Sequence, residues 1–128
     1  MSALARSTLD GSLTGLRMNA RRYLSLGETA ERYELVNGVV LMAPSASYAH
    51  NRMAAEVMYQ LLRFAEETDE IVAVHETDVR FSDLDVYRPD VVAFKAARVS
   101  GRTDQLRVIP DLVVEVLSEA RRPFDLIT

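Results

Sequence analysis

The sequence predicts a domain of the α/β (α+β) class, in which a sheet packs against helices. Three observations lead to this prediction: a β-hairpin pattern at residues 33–42, an amphipathic helix pattern at residues 49–67, and apolar strand patterns at residues 90–94 and 111–117. With 128 residues, the chain is long enough for one domain with a modest core.

The N-terminal segment, residues 1–22, is expected to be a loose leader that precedes a domain at residues 23–128. Its first 17 residues are small and polar, include two glycines and show no clear period. Such termini are often poorly ordered unless other elements hold them. Residues 18–32 suggest a short helix that breaks at Gly27.

Residues 33–42 carry the clearest local signal in the chain. Two apolar runs rich in β-branched residues flank Asn37-Gly38. A type I′ turn needs positive φ at both central residues, and this dipeptide tolerates it. We therefore predict a hairpin whose second strand ends at Pro44.

The hydrophobic period changes to that of a helix at residues 49–67, with Ser47 as a candidate N-cap. The apolar positions recur every three or four residues: His50, Met53, Ala54, Val57, Leu61, Phe64 and Ala65. This spacing places them on one face of an amphipathic helix.

Short apolar segments fill the rest of the chain. We predict strands at residues 71–75 and 78–81, a turn at residues 82–88, and a loop or helical turn at residues 95–108. The segments at residues 90–94 and 111–117 are almost wholly apolar and each follows a proline, so we predict two buried strands there.

The composition is that of an ordinary globular protein, with 48% hydrophobic and 27% charged residues. The absence of cysteine excludes disulfides, thiolate zinc sites and cysteine nucleophiles, and it fits a cytoplasmic protein. We see no apolar run for a membrane span and no secretory signal. The net charge of −4 argues against a protein that coats nucleic acid but is compatible with an enzyme that acts on DNA.

Two acidic residues stand out within the predicted buried strands. Asp90 opens a strand that is otherwise Val, Val, Ala and Phe, and Glu115 lies between Val114 and Val116. A carboxylate in an apolar strand is costly to bury unless it is paired or binds a cation. Two carboxylates on neighbouring strands suit Mg²⁺, which takes oxygen ligands and keeps waters for a phosphate substrate. The alternative is an edge strand whose Glu115 face is wet, as antiparallel sheets allow.

Four features follow one another along the chain: YELVNGVV from Tyr33, His50 at the start of the helix, RPD at residues 88–90, and DLVVEVLS at residues 111–118. Together they resemble a bacterial restriction-endonuclease family of the PD-(D/E)xK nuclease superfamily, from about Tyr23 to the C-terminus. The resemblance implies a restriction-endonuclease-like core with a mixed β-sheet flanked by helices. It also implies hydrolysis of DNA with Mg²⁺ or Mn²⁺, which Asp90 and Glu115 would bind, and Glu34 as a further acidic residue of the site.

The chain departs from the superfamily motif at Leu117. The motif carries a lysine at this position, two residues after Glu115, and leucine has no charge and no proton to transfer. In the family this lysine often lies on the following helix instead, which would fall just past Asp125, close to the end of the sequence. Lys95 is the only lysine, and strand alternation points it away from the Asp90 face.

The resemblance further implies that the C-terminal part of the domain is missing. A strand left without its neighbour invites pairing with another chain, so a homodimer is one expectation. The sequence is then a truncated product, a fragment of a longer protein, or a family member that has lost activity. We therefore expect little or no cleavage from this chain.

Three further residues are candidate phosphate contacts: His50, Arg121 and Arg122. His50 lies on the apolar face of its helix, where a buried and satisfied histidine is the competing interpretation. The arginines suit phosphate but stay charged and carry no proton. The competing functions are a non-catalytic interaction or antitoxin-like module on the same core, and an unstable remnant without function.

Overall fold

The structure is a computed structural model of the 128-residue chain, and it describes residues 13–29, 31–101 and 108–117. The described residues fall into two compact units. The first lies within residues 13–45, 78–88 and 108–109, and the second within residues 46–77, 89–101 and 110–117. In chain order the elements are α1 (Ala20–Ser25), β1 (Tyr33–Val36), β2 (Val39–Met42), α2 (Tyr48–Thr68), β3 (Ile71–His75), β4 (Val79–Ser82), β5 (Asp85–Tyr87), β6 (Val91–Lys95), α3 (Ala96–Val99) and β7 (Leu112–Val114).

The first unit contains a four-stranded antiparallel sheet in the order β2-β1-β5-β4. The predicted hairpin is confirmed, because β1 and β2 pair along their whole length. Its turn residues Asn37 and Gly38 have φ angles of 50° and 79°, the positive values that a type I′ turn needs. The buried core of this unit is apolar: Ala20, Tyr23, Tyr33, Leu35, Val40 and Val86.

Part of the predicted leader is hydrogen-bonded to this hairpin. The Gly15 N–H donates to the Val40 carbonyl oxygen at 2.7 Å, and the Met18 N–H donates to the Gly38 carbonyl oxygen at 2.9 Å. Ala20, at the start of α1, is fully buried in the core. Residues 1–12 lie outside the described residues, so the boundary at residue 22 stays a prediction.

The turn of this hairpin provides a first test of the fold. We expect Gly38→Ala to lower the free energy of unfolding by about 2 kcal/mol, because a left-handed conformation strains any residue with a Cβ. In addition, the new Cβ would lie 3.3 Å from Leu84 Cδ2. Gly15→Ala is the matched control, since Gly15 has φ +88° but a Cβ there would meet nothing within 4 Å. Urea denaturation measures both, and an equal loss would show that the contact with Leu84 adds nothing.

The second unit contains a three-stranded antiparallel sheet in the order β3-β6-β7, against which α2 packs. The central strand β6 is buried from Val91 to Phe94. The predicted helix is confirmed as α2, and the Ser47 side chain caps it by accepting the His50 N–H at 3.1 Å. Two side chains of its predicted inner face, Met53 and Phe64, are nevertheless 55% and 44% exposed.

One strand in the first unit was not predicted. The turn expected over residues 82–88 is confined to Asp83 and Leu84, and β5 follows at once. The Asp85 carboxylate makes the turn tight, because it accepts the Ser82 hydroxyl at 2.6 Å and the Asn37 N–H at 2.9 Å. These bonds hold the pKa of Asp85 below its usual value, with the Tyr87 hydroxyl as a third donor. The chain therefore reverses within two residues and re-enters the sheet.

The prediction of a buried strand at residues 111–117 is wrong. β7 spans three residues at one edge of the described sheet, and Leu112 and Val113 are 44% and 41% exposed. An edge strand has a neighbour on only one side, so the apolar run carries no information about burial here.

The described strands also pair differently from the mixed sheet that the resemblance implies. All of their pairings are antiparallel. The α+β composition itself is as predicted. Among the described residues, no helix combines the length and the apolar character that crossing a membrane requires.

Candidate functional site

Among the described residues of the second unit, Asp90 is the buried acidic residue, with only 3% of its surface exposed. It lies directly before β6 and follows Pro89, which is also buried. Its Oδ2 atom accepts two hydrogen bonds, from His50 Nε2 at 3.1 Å and from the Val116 N–H at 2.7 Å. Such bonds offset the cost of removing a carboxylate from water. The sequence prediction of an unusual buried carboxylate is therefore confirmed for Asp90.

Strand register brings Glu115 to a position beside Asp90. The last pair between β6 and β7 is Val91↔Val114, so the next step of the same register sets Asp90 opposite Glu115. The hydrogen bond from Val116 to Asp90 shows that the two segments stay close beyond the last pair. Directly opposed residues of an antiparallel pair project from the same face. Extending the register by one residue therefore sets Asp90 and Glu115 at opposed backbone positions, next to the paired ends of β6 and β7.

Glu115 itself is exposed, and this overturns the burial argument made for it. It follows the last residue of β7 on the edge of the sheet, which is the wet-edge alternative left open by the sequence. What singles out Glu115 is its place beside Asp90, which the apolar run around it did not reveal.

The register between β3 and β6 identifies one more acidic residue near Asp90, Glu76, which the sequence analysis did not single out. The last pair between β3 and β6 is His75↔Val91, so Glu76 falls opposite Asp90 on the other side. The Glu76 N–H donates to the Asp90 carbonyl oxygen at 3.2 Å. Glu76 has φ of 48°, a left-handed conformation that costs a non-glycine residue about 1–2 kcal/mol. The available signal was its position directly after the predicted strand 71–75, just as Asp90 directly precedes its own strand.

A cavity of about 380 Å³ lies beside Asp90 within the second unit. One end is polar and is lined by His50, Asn51, His75, Glu76 and Asp90. The remainder is lined by apolar or aromatic side chains of α2: Ala54, Ala55, Met58, Tyr59 and Leu62. The cavity therefore joins the buried carboxylate to a surface of α2 that can receive part of a ligand.

The carboxylates present fit a hard divalent cation that needs only one or two ligands from the protein. Mg²⁺ is commonly held by one or two carboxylates and completes its shell with water and substrate phosphate. Asp90 and Glu115 supply two carboxylates at adjacent positions. Within the described ranges, no group of three or more His, Asp and Glu residues could hold a metal ion by itself.

Glu34, the third predicted acidic residue, belongs to the first unit. Its Oε2 accepts the Arg88 N–H at 2.6 Å, and the Arg88 Nε donates to Asp78 at 3.0 Å. This network borders Tyr23, whose pKa is raised by burial and by the charge of Asp78, while Arg88 lowers it. These contacts show what holds Glu34 in its own unit, and its part in a metal site stays a prediction.

The remaining basic candidates lie away from Asp90 or outside the described residues. Arg121 and Arg122 lie outside the described residues. Lys95 is exposed at the end of β6, where its backbone N–H donates to Asp111 Oδ2 at 2.7 Å. This bond and the Arg98 guanidinium lower the pKa of Asp111. The structure thus joins Asp90 to His50 and to the backbone of the segment that carries Glu115.

The chain is similar to known nuclease-like proteins. A crystal structure from Anabaena variabilis ATCC 29413, described as "a putative nuclease belonging to DUF820", matches with a TM-score of 0.69 and 18% identity. The match covers 86% of this chain and 66% of that chain, so the chain spans less than two-thirds of its length. At this identity the likeness is one of fold, and it confirms the predicted nuclease-like fold class. No curated protein matches. Residues 20–128 match the Uma2 family, described as "Putative restriction endonuclease", and the chain therefore belongs to that family.

Proposed function

We propose that this domain hydrolyses DNA phosphodiester bonds with Mg²⁺ or Mn²⁺, and that Asp90 and Glu115 bind the ion. The observation that carries the proposal is the buried Asp90 carboxylate at the end of β6, with Glu115 beside it on the neighbouring strand. Membership of a restriction-endonuclease family makes phosphodiester hydrolysis the reaction to test.

The residues would divide the work as follows. A bound divalent ion polarises a phosphate and makes its water a better nucleophile. Asp90, held by His50 and the Val116 N–H, would provide one carboxylate ligand, and the exposed Glu115 would provide the second. The cavity lined by Asp90 and His50 would receive the phosphate. Leu117 supplies no proton donor or cation where the superfamily carries lysine, so we propose slow cleavage or none by this chain.

Calorimetric titration of Mn²⁺ tests the metal site independently of catalysis. We expect the parent chain to bind one ion, and Asp90→Asn and Glu115→Gln to lose measurable binding, because each substitution removes a charged oxygen ligand. Glu66→Gln is the matched control, since Glu66 is an exposed acidic residue of α2 outside the cavity. Nicking of supercoiled plasmid DNA, with and without Mn²⁺, then tests catalysis.

The outcomes are distinct. Mn²⁺ binding that survives both site substitutions would remove Asp90 and Glu115 from the proposal. If the folded parent binds no Mn²⁺, the proposed metal-dependent nuclease activity is wrong, and only the family relationship remains. Cleavage that persists in Asp90→Asn at the parental rate would place the catalytic site elsewhere.

The second candidate function is a non-catalytic interaction module on the same core. It is favoured by the exposed apolar residues at and after the edge strand β7, where Leu112, Val113 and Leu117 are 44%, 41% and 87% exposed. An exposed apolar edge of this kind pairs readily with another chain. Sedimentation or light scattering that shows a stable dimer, together with absent Mn²⁺ binding, would support this function over the enzymatic one.

A further inference from the structure

We propose that His50 is a positioning residue that fixes the Asp90 carboxylate in the orientation needed to bind the metal ion. This inference rests on the proposed function, since it concerns the same site. It extends the interpretation of His50 as a shielded and satisfied histidine: the side chain is only 10% exposed, and its hydrogen-bond partner is the candidate ligand itself.

The backbone of His50 is held before its side chain is considered. Its N–H donates to the Ser47 side chain at 3.1 Å, so the residue is fixed in the first turn of α2 by the N-cap. The imidazole is only 10% exposed. The ring therefore has little freedom to leave the site.

The direction of the hydrogen bond between His50 and Asp90 follows from chemistry. An ionised carboxylate has only acceptor positions, so His50 Nε2 must carry the proton that bridges the 3.1 Å to Asp90 Oδ2. The second donor to the same oxygen is the Val116 N–H at 2.7 Å, which belongs to the segment that follows β7. Two donors from different elements fix the plane of the carboxylate, whereas one donor leaves it able to rotate.

A fixed carboxylate binds a cation more tightly than a rotating one, because less freedom is lost on binding. Partners that orient a metal ligand through hydrogen bonds typically change metal affinity by about 10–100-fold.

The test compares two replacements of His50 by Mn²⁺ calorimetry and far-ultraviolet circular dichroism. His50→Leu keeps an apolar body but has no donor, and we expect its dissociation constant for Mn²⁺ to rise by about 10–100-fold. His50→Gln keeps an N–H donor of similar reach, and we expect it to stay within about threefold of the parent. Tyr48→Ala is the matched control on the same helical turn, since Tyr48 is 80% exposed, and we expect parental affinity.

A second measurement needs no substitution at the site. Nitrogen-15 spectra of the two imidazoles should show His50 with its proton on Nε2. The chemical shift of that proton should change when Mg²⁺ is added. Folded His50→Leu that binds Mn²⁺ as tightly as the parent would overturn the proposal while leaving the metal site intact. If His50→Leu does not fold, a His50 proton on Nδ1 alone would overturn it instead. A parent that binds no Mn²⁺ would remove the proposed function and this inference together.

Discussion

Asp90→Ala is expected to lower the free energy of unfolding by about 2–4 kcal/mol, which is a large share of the stability of a small domain. The carboxylate accepts the His50 and Val116 donors at 3.1 Å and 2.7 Å in a site that is 97% shielded, because Asp90 is only 3% exposed. Its removal leaves two part-buried donors without this acceptor, and each such donor costs about 1–3 kcal/mol. Urea denaturation of the metal-free chain measures the loss.

Two companions separate the causes of this loss. Glu66→Ala removes an exposed carboxylate from α2 and should change the free energy of unfolding by no more than about 0.5 kcal/mol. Asp90→Asn keeps the shape and one carbonyl oxygen, so its loss should fall between those of the other two variants. If Asp90→Ala were no less stable than Glu66→Ala, the three-element contact at Asp90 would not contribute to folding.

This result would mean that one side chain serves both the fold and the site. Asp90 joins β6 to α2 and to the segment after β7 through a single oxygen atom. A variant at this position therefore cannot be read from activity alone, because unfolding also abolishes activity. Mn²⁺ affinity in the folded population is the measurement that isolates the site.

The elements with local signals could be predicted from the sequence. Asn37-Gly38 specifies its own turn through positive φ, and Ser47 specifies the start of α2 through a bond to a residue three positions on. The short apolar runs that predict β3 and β6 likewise depend on near neighbours. Asp90 was identified because an acid among buried apolar residues is costly wherever the strand lies.

The features that were missed depend on partners distant in the chain. β7 resembles β6 in its apolar sequence, but within the described sheet it has a neighbouring strand on one side only. A local sequence pattern does not indicate how many neighbouring strands a strand has. The bond between His50 and Asp90 joins residues 40 positions apart. Glu76 has a positive φ, which its residue type does not predict. It follows the last residue of β3, which is paired with β6.

Leu117→Lys is expected to raise the rate of Mg²⁺-dependent DNA cleavage by about 10²-fold or more, the usual range for a positioned proton-transfer group. The substitution supplies the lysine of the proposed nuclease motif two residues after Glu115, a spacing that points both side chains to the same side of an extended chain. Leu117 is 87% exposed, so its replacement should cost less than about 0.5 kcal/mol of stability. Plasmid nicking under conditions of saturating Mg²⁺ measures the gain.

The matched controls decide what the gain means. Leu117→Gln is polar but carries no charge and no titratable proton, so it should leave cleavage at the parental level. The double substitution with Asp90→Asn should abolish the gain, because a lysine without the metal site has no polarised phosphate to act on. A folded Leu117→Lys variant that binds Mn²⁺ and still cleaves no faster than the parent would show that the missing lysine does not limit this site.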